Sequence, residues 1–172
     1  MATTMDISSN PLAKFSLRTR QNTILHTGYM GTIKYMLQTL IFEEYSTGLH
    51  AQIGVFEGQR VDVNTNEEVD CIIKVRMQLN PVLIPHASSS SRASYFLDRE
   101  CRALRAAQYS GRTPDFVACA SEVQDRSGFY PGGYLDIIAM SKLPGKPIAQ
   151  CLGALTAADL KVIKKDLAVL LK

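Results

Sequence analysis

The sequence predicts an α+β fold in which a five-stranded antiparallel sheet carries one packed helix, with an added helix before the sheet and another after it. Two stretches are the strongest observations. Over residues 69–77, apolar residues occupy every second position, as in a strand that buries one face. Over residues 95–104, apolar residues recur at the spacing of a helix. Helices combined with antiparallel strands in this way are typical of the α+β class.

The composition describes one globular domain. The chain has 172 residues, of which 46% are hydrophobic and 20% charged, and its net charge is +3. This length buries a substantial core, and the balance is that of an ordinary globular protein. Apolar runs stay below the roughly 18 residues of a membrane span. Because Lys and Arg are also scattered, we expect no membrane and no nucleic acid as partner. We expect a cytoplasmic location, or secretion into a host cell if a signal peptide has been trimmed.

The first part of the chain divides at residue 28. Residues 1–28 are rich in Ser, Thr and Asn and show neither the helical nor the strand period of apolar residues. This predicts a mobile N-terminal arm. A single domain then covers residues 29–172. It begins with an added helix over residues 29–47, predicted from apolar residues at spacings of three and four: Met30, Ile33, Met36, Leu37, Leu40 and Ile41.

Five strands are predicted after this helix. Residues 50–55 and 60–63 form two strands around a turn at residues 56–59, and the strand at 69–77 follows as a meander. That turn is where a nucleotide-binding glycine loop would lie, but it offers only Gly54 and Gly58. Residues 116–124 and 134–140 complete the sheet. A capping box from Thr156 to Asp159 begins the final helix.

Lys74 and Glu100 are the charged residues that interrupt the apolar pattern. Lys74 lies among hydrophobic neighbours in the 69–77 strand, and Glu100 lies on the apolar face of the 95–104 helix. A buried carboxylate costs several kcal/mol unless it is paired. Lys74 is the candidate partner, so the two side chains are predicted to meet. The alternative is that both lie on solvated faces, where most charged residues are found.

The remaining reactive residues predict no catalytic or metal site. Cys71, Cys101, Cys119 and Cys151 lack CxxC spacing and lie in apolar elements, which predicts buried, reduced thiols. The three histidines are isolated from one another and from the cysteines, so a zinc site is not expected. A GxSxG nucleophile motif does not occur in the sequence. We therefore expect no catalytic residue and no metal.

A resemblance emerges from the order of these elements. The strand with Lys74, the helix with Glu100 and two further strands lead into Pro-Gly-Gly-Tyr-Leu-Asp-Ile-Ile-Ala-Met-Ser-Lys-Leu-Pro-Gly at residues 131–145. Residues 50–172 resemble the small lobe of fungal protein-kinase-like and aminoglycoside-phosphotransferase-like proteins. The resemblance implies a hinge with Met140 at the back of an adenine pocket and the backbone of Ser141 to Leu143 at its edge. It also implies that Lys74 and Glu100 are the ion pair beside the phosphates.

The sequence departs from this family where catalysis is concerned. It contains no His-x-Asp, no Asp-Phe-Gly and no GxGxxG, and the family carries its catalytic and magnesium-binding carboxylates in a large lobe that would follow residue 172. We therefore expect a non-catalytic, pseudokinase-like protein-binding module that acts as a regulator, a decoy or a secreted effector of a fungus. The alternative is the nucleotide-binding small lobe of a phosphotransferase whose catalytic lobe is absent from this chain. No cofactor is expected in the first case, and ATP in the second.

A partner surface is predicted beside the hinge-like segment. In a complete kinase the lower edge of the small lobe packs against the large lobe, and this chain has apolar residues in that region: Leu143, Ile148, Leu152 and Leu155. They are predicted to bind another protein or a second copy of the chain. The alternative is that the added N-terminal helix covers them within the monomer.

Overall fold

The computed structural model describes residues 13–28, 31–82, 90–111, 113–145 and 151–170. The α+β class is confirmed, because the described residues form one curled antiparallel sheet and two α-helices. The sheet has six strands, so the prediction of five is wrong. In the described part of the chain, no helix is long and apolar enough to cross a membrane.

The six strands follow the order β1-β2-β3-β4-β6-β5 across the sheet. Their bounds are β1 (Thr23–Thr27), β2 (Ile33–Ser46), β3 (Ala51–Asp62), β4 (Glu67–Gln78), β5 (Phe116–Val123) and β6 (Tyr134–Ser141). Helix α1 (Ser90–Ala107) connects β4 to β5, and helix α2 (Ala157–Leu170) follows β6. Short 3-10 turns occupy Ala13–Phe15, Leu17–Arg20 and Leu152–Ala154.

Strand β2 stands where the added N-terminal helix was predicted over residues 29–47, so that prediction is wrong. Two β-bulges account for the error. Gln38 and Ile41 are extra residues in the ladder between β2 and β3, and each bulge shifts the alternation by one position. The side chains that reach the core, Tyr35, Leu37 and Leu40, are therefore separated by two and then three residues. This mixed spacing imitates one face of a helix.

Strand β3 is continuous, so the predicted turn at residues 56–59 does not form. Gly54 and Gly58 lie inside the strand, where each admits a close neighbour. A Cβ at Gly54 would lie 2.7 Å from Cδ1 of Leu17, and a Cβ at Gly58 would collide with the carbonyl oxygen of Met36 on the bulged strand β2. These glycines serve close packing, which is a common reason for glycine inside a strand.

Residues 13–28 pack against the sheet or pair with it, although the sequence placed them in a mobile arm. Phe15 and Leu17 are buried, Leu17 completely, and β1 pairs with the first half of β2. Residues 1–12, the rest of the predicted arm, lie outside the described residues. Strand β1 has two apolar residues, Ile24 and Leu25, and they are neighbours in the sequence. The sequence therefore shows no alternation that would identify this segment as a strand.

The two faces of the sheet bury separate cores. The prediction for the alternating strand is confirmed, since Cys71, Ile73, Val75 and Met77 of β4 face the core inside the curl. Helix α1 covers the opposite face through two clusters, which are Leu49, Ala51, Ala93 and Tyr134 near its start and Leu97, Cys101 and Ile138 in its middle. Strand β6 lies between both cores, which is why six of its eight residues are buried.

The curl brings the two edge strands, β1 and β5, toward each other along a seam. The backbone N–H of Gly28 donates to Oε1 of Glu122 at 3.1 Å, and the guanidinium of Arg20 donates to the carbonyl oxygen of Ser127. A cavity of about 210 Å³ lies along this seam, with Arg20, His26, Glu122 and Asp125 among its lining residues. Each of these two hydrogen bonds across the seam therefore involves a side chain.

Candidate functional site

Lys74 and Glu100 meet in the structure. Nζ of Lys74 on β4 donates to Oε1 of Glu100 on α1 at 2.8 Å, and the two side chains are 24% and 29% exposed. The predicted contact is therefore present, in a half-buried setting rather than on two solvated faces. The alternation of β4 places Lys74 on the face that α1 covers, and the helical spacing turns Glu100 toward it.

Arg76 is the site residue that sequence reasoning missed. Its guanidinium donates to Oε2 of Glu100, and its side chain is only 6% exposed. The carboxylate of Glu100 thus holds two cations, one on each oxygen. The available signal was the period of the strand, since Arg76 follows Lys74 by two residues and must share its face.

A buried carboxyl group lies beside this ion pair. Asp136 on β6 is the register partner of Arg76 and accepts a hydrogen bond from the Ser121 hydroxyl at 2.8 Å. Burial raises the pKa of Asp136, while the Ser121 hydrogen bond and the charge of Arg76 act in the opposite direction. Oδ2 of Asp136 and two guanidinium nitrogens of Arg76 are without a hydrogen-bond partner in the described residues. The cluster therefore has unused hydrogen-bonding capacity.

A pocket of about 390 Å³ lies at the end of β6, on the face of the sheet that also carries the ion pair. Its apolar lining comes from neighbouring strands and includes Ile41, Val55, Ile72 and Met140. Residues Ser141 to Gly145 form the rest of the wall, together with Glu57 and Pro114. The structure thus gathers Met140, Ser141 and Leu143, three of the residues predicted as binding residues, around one concave site. Ligand pockets of this kind are usually apolar with a few polar groups.

The pocket and the ion pair share one strand face. Ile72 lines the pocket and Lys74 follows it two residues later, which is a separation of about 7 Å along β4. Val55, another lining residue, is the register partner of Lys74. Lys74 therefore lies on the strand face that lines the pocket but is not itself a lining residue, while Lys142 and Glu57 form a 3.0 Å ion pair at the pocket rim.

The predicted partner surface is only partly described. Leu143 is 46% exposed, and Leu155 is half-buried before the capping box of α2. Ile148 lies outside the described residues, and the side chain of Leu152 is not described. The predicted capping box is confirmed, because the Thr156 N–H donates to Asp159 at 2.8 Å and the Asp159 N–H donates to the Thr156 hydroxyl at 3.2 Å. The predicted cover, an N-terminal helix, is replaced by β2.

The thiols differ from the prediction at two positions. Cys71 and Cys101 are buried as expected, whereas Cys119 is exposed and Cys151 half-buried. Among the described residues, no group of three His, Cys, Asp or Glu side chains could hold a metal ion. No protein-family model matches this chain, and a comparison with curated proteins finds no significant match.

Proposed function

We propose that this chain binds an adenine nucleotide in the pocket beside Lys74 and does not transfer its phosphate. The observation that carries the proposal is that an apolar pocket and a half-buried ammonium share one face of β4. A flat base fits between apolar strand residues, and a phosphate group needs a cation nearby. Both requirements are met within about two residues of strand.

The charges near the pocket favour an anion. Lys74 and Arg76 carry two positive charges, and Glu100 supplies one negative charge between them. Burial raises the pKa of Asp136, which opposes a second negative charge in the cluster. An arriving phosphate can therefore attract Lys74 while Arg76 keeps Glu100 paired. The polar edge of the base would face the backbone of Ser141 to Leu143, which lines the pocket.

Binding measured by calorimetry with ATP and with adenosine separates the two halves of this site. We expect Lys74→Ala to weaken ATP binding about tenfold or more, because a charge-assisted hydrogen bond is worth roughly 1.5–3 kcal/mol. Adenosine, which lacks phosphates, should bind wild type and variant alike. Lys161→Ala removes an exposed lysine of α2 and serves as the control. Equal ATP affinity in wild type and Lys74→Ala would contradict the proposal.

We expect no phosphate transfer by this chain. It contains neither the His-x-Asp segment nor the Asp-Phe-Gly segment that would place a base and hold magnesium. Incubation of the chain with labelled ATP, magnesium and generic substrates should give only background labelling. Label that is incorporated by wild type and lost in Lys74→Ala would show that the chain transfers phosphate.

Protein binding is a second candidate, favoured by the exposure of apolar residues after β6. Leu143 is exposed beside the pocket, and helix α2 exposes Leu160, Val162 and Leu167. Substituting Leu143 and Leu152 with aspartate should abolish self-association or partner binding, as read by sedimentation, and Lys74→Ala should not. The reverse pattern would favour a nucleotide-dependent role over a protein-binding one. This candidate continues the expectation of a pseudokinase-like module.

A further inference from the structure

Two cysteines from different elements meet on the face of the sheet that α1 covers. Cys101 of α1 is buried against Ile138 of β6. Cys119 of β5 is the register partner of Ile138, so its side chain leaves the sheet on the same face. Both cysteines therefore lie beside Ile138 on one face of the sheet, and the neighbouring Cys119 thiol is one of the causes that raise the pKa of Cys101. Cys119 is also open to solvent, so a reagent can reach one member of the pair.

We propose that Cys101 and Cys119 form an intramolecular disulfide when the chain meets a small-molecule disulfide such as oxidised glutathione. Both thiols are free in the structure, which therefore represents the reduced form. Because both cysteines flank Ile138, side-chain rotation and a shift of the edge strand β5 would bring the sulfurs to the S–S bond length of about 2.05 Å. The site is independent of nucleotide binding.

The reaction proceeds in two exchanges. The thiolate of Cys119 attacks one sulfur of oxidised glutathione, which forms a mixed disulfide and releases one glutathione thiolate. Cys101 then loses its proton to solvent, and its sulfur attacks the sulfur of Cys119 and expels the second glutathione. Two cysteine thiols are oxidised to one disulfide, and one glutathione disulfide is reduced to two thiols.

Accessibility sets the order of these steps. Burial and the neighbouring Cys119 thiol raise the pKa of Cys101 to about 12, and buried thiols with raised pKa values react slowly. The exposed Cys119 must therefore react first, and Cys101 acts only as the resolving thiol. Cys71 is buried in the other core, and burial raises its pKa to about 11, so it should stay unreactive.

The disulfide would tie helix α1 to strand β5 of the sheet. It closes the loop that runs from α1 to β5, and it fixes the helix at the residue next to Glu100. A disulfide that closes a loop of this length stabilises the folded chain, because it restricts the unfolded chain. We expect the oxidised full chain to melt about 5 °C or more above the reduced chain, with no such shift in Cys119→Ser.

Mass spectrometry of the native chain after treatment with oxidised glutathione tests the proposal. Wild type should pass through a glutathione adduct on Cys119 and end with the loss of two hydrogens, and peptide mapping should join Cys101 to Cys119. Cys119→Ser should not lose the two hydrogens. Cys101→Ser should stop at the adduct, and Cys101→Ala provides the same test if serine disturbs the core. Cys151→Ser is the matched control and should close like wild type.

Three results would overturn the inference. Wild type that keeps the glutathione adduct on Cys119 would show that Cys101 does not resolve it. Loss of two hydrogens in Cys119→Ser would place the disulfide elsewhere. A peptide map that joins Cys119 to Cys151 would do the same, because Cys151 is half-buried and also accessible.

Discussion

Arg76 and Asp136 face each other across β4 and β6, yet each forms its hydrogen bond with a different residue. Arg76 donates to Glu100 on α1, and Asp136 accepts from Ser121 on β5. The pair is therefore the centre of a polar chain that joins α1, β4, β6 and β5 beneath the helix. Partly satisfied buried networks of this kind are sensitive to the loss of any member.

Glu100→Ala should destabilise the chain by roughly 2–3 kcal/mol, between the values for an exposed and a fully buried pair. The reason is that Arg76, only 6% exposed, would lose its anion together with Lys74. Urea denaturation measures the change. Asp98→Ala is the matched control on the same helix, since its ion pair with Arg102 is exposed, and it should cost below about 0.5 kcal/mol. Equal midpoints for the two variants would show that the buried pair adds no stability.

The pH dependence of stability should reveal Asp136. Because burial raises its pKa, the folded state keeps a proton that the unfolded state has lost once the pH exceeds the ordinary aspartate value. This stabilising contribution is complete below that ordinary value and disappears as the pH rises through the raised folded pKa. Wild type should therefore lose stability relative to Asp136→Asn over that window, as read from urea midpoints.

Asp125 provides a control of opposite sign. Hydrogen bonds from Ser127 lower its pKa, so its contribution is present above the ordinary aspartate pKa and is lost as the pH falls through the lowered value. Wild type should gain relative to Asp125→Asn as the pH rises. If the stability of wild type and that of Asp136→Asn changed with pH in parallel, the pKa of Asp136 would not be raised in the folded state.

Gly58→Ala should be among the most damaging small substitutions in the chain. Its Cβ would collide with the carbonyl oxygen of Met36 and lie 2.8 Å from Cδ1 of Ile73. Overpacking of this sort costs about 1–3 kcal/mol, and more when the obstacle is backbone. Gly48→Ala is the control, because a Cβ there meets nothing within 4 Å. Thermal melts that rank the two variants in the opposite order would contradict the bulged geometry of β2.

Leu17→Ala should cost about 3–4 kcal/mol, the usual loss for a fully buried leucine. Leu17 has no exposed surface and packs against Gly54 inside the curl. Leu167→Ala, at an exposed position of α2, should change the unfolding midpoint little. If the midpoint of Leu17→Ala matched that of Leu167→Ala, residues 13–28 would not form part of the stable fold.

The sequence predicted an element correctly where its apolar residues kept one spacing, either that of a strand or that of a helix, over the whole element. Strand β4 alternates over its core residues and α1 repeats at helical spacing, so both elements and the contact between Lys74 and Glu100 could be predicted. The capping box of α2 was equally clear, since Thr156 and Asp159 satisfy each other locally. In each case the signal lies within one element or between two well-defined ones.

The elements that could not be predicted are those in which a bulge or a glycine interrupts the regular spacing of apolar residues. Bulges at Gln38 and Ile41 gave β2 an apolar spacing close to that of a helix. Gly54 and Gly58 suggested a turn because their role depends on Leu17 and Met36, which are distant in sequence. The period of β4 placed Arg76 on the same face as Lys74, but only the fold shows that Glu100 pairs with both cations.

The seam between β1 and β5 determines where the molecule opens first. Its links run through the side chains of Glu122 and Arg20, whereas β4 is paired by backbone ladders on both sides. Amide hydrogens at the seam should therefore exchange through small local openings, and those of β4 only when the whole domain unfolds. Fraying that begins at the N-terminal strand would leave β3, β4 and β6, and with them the pocket wall, in place.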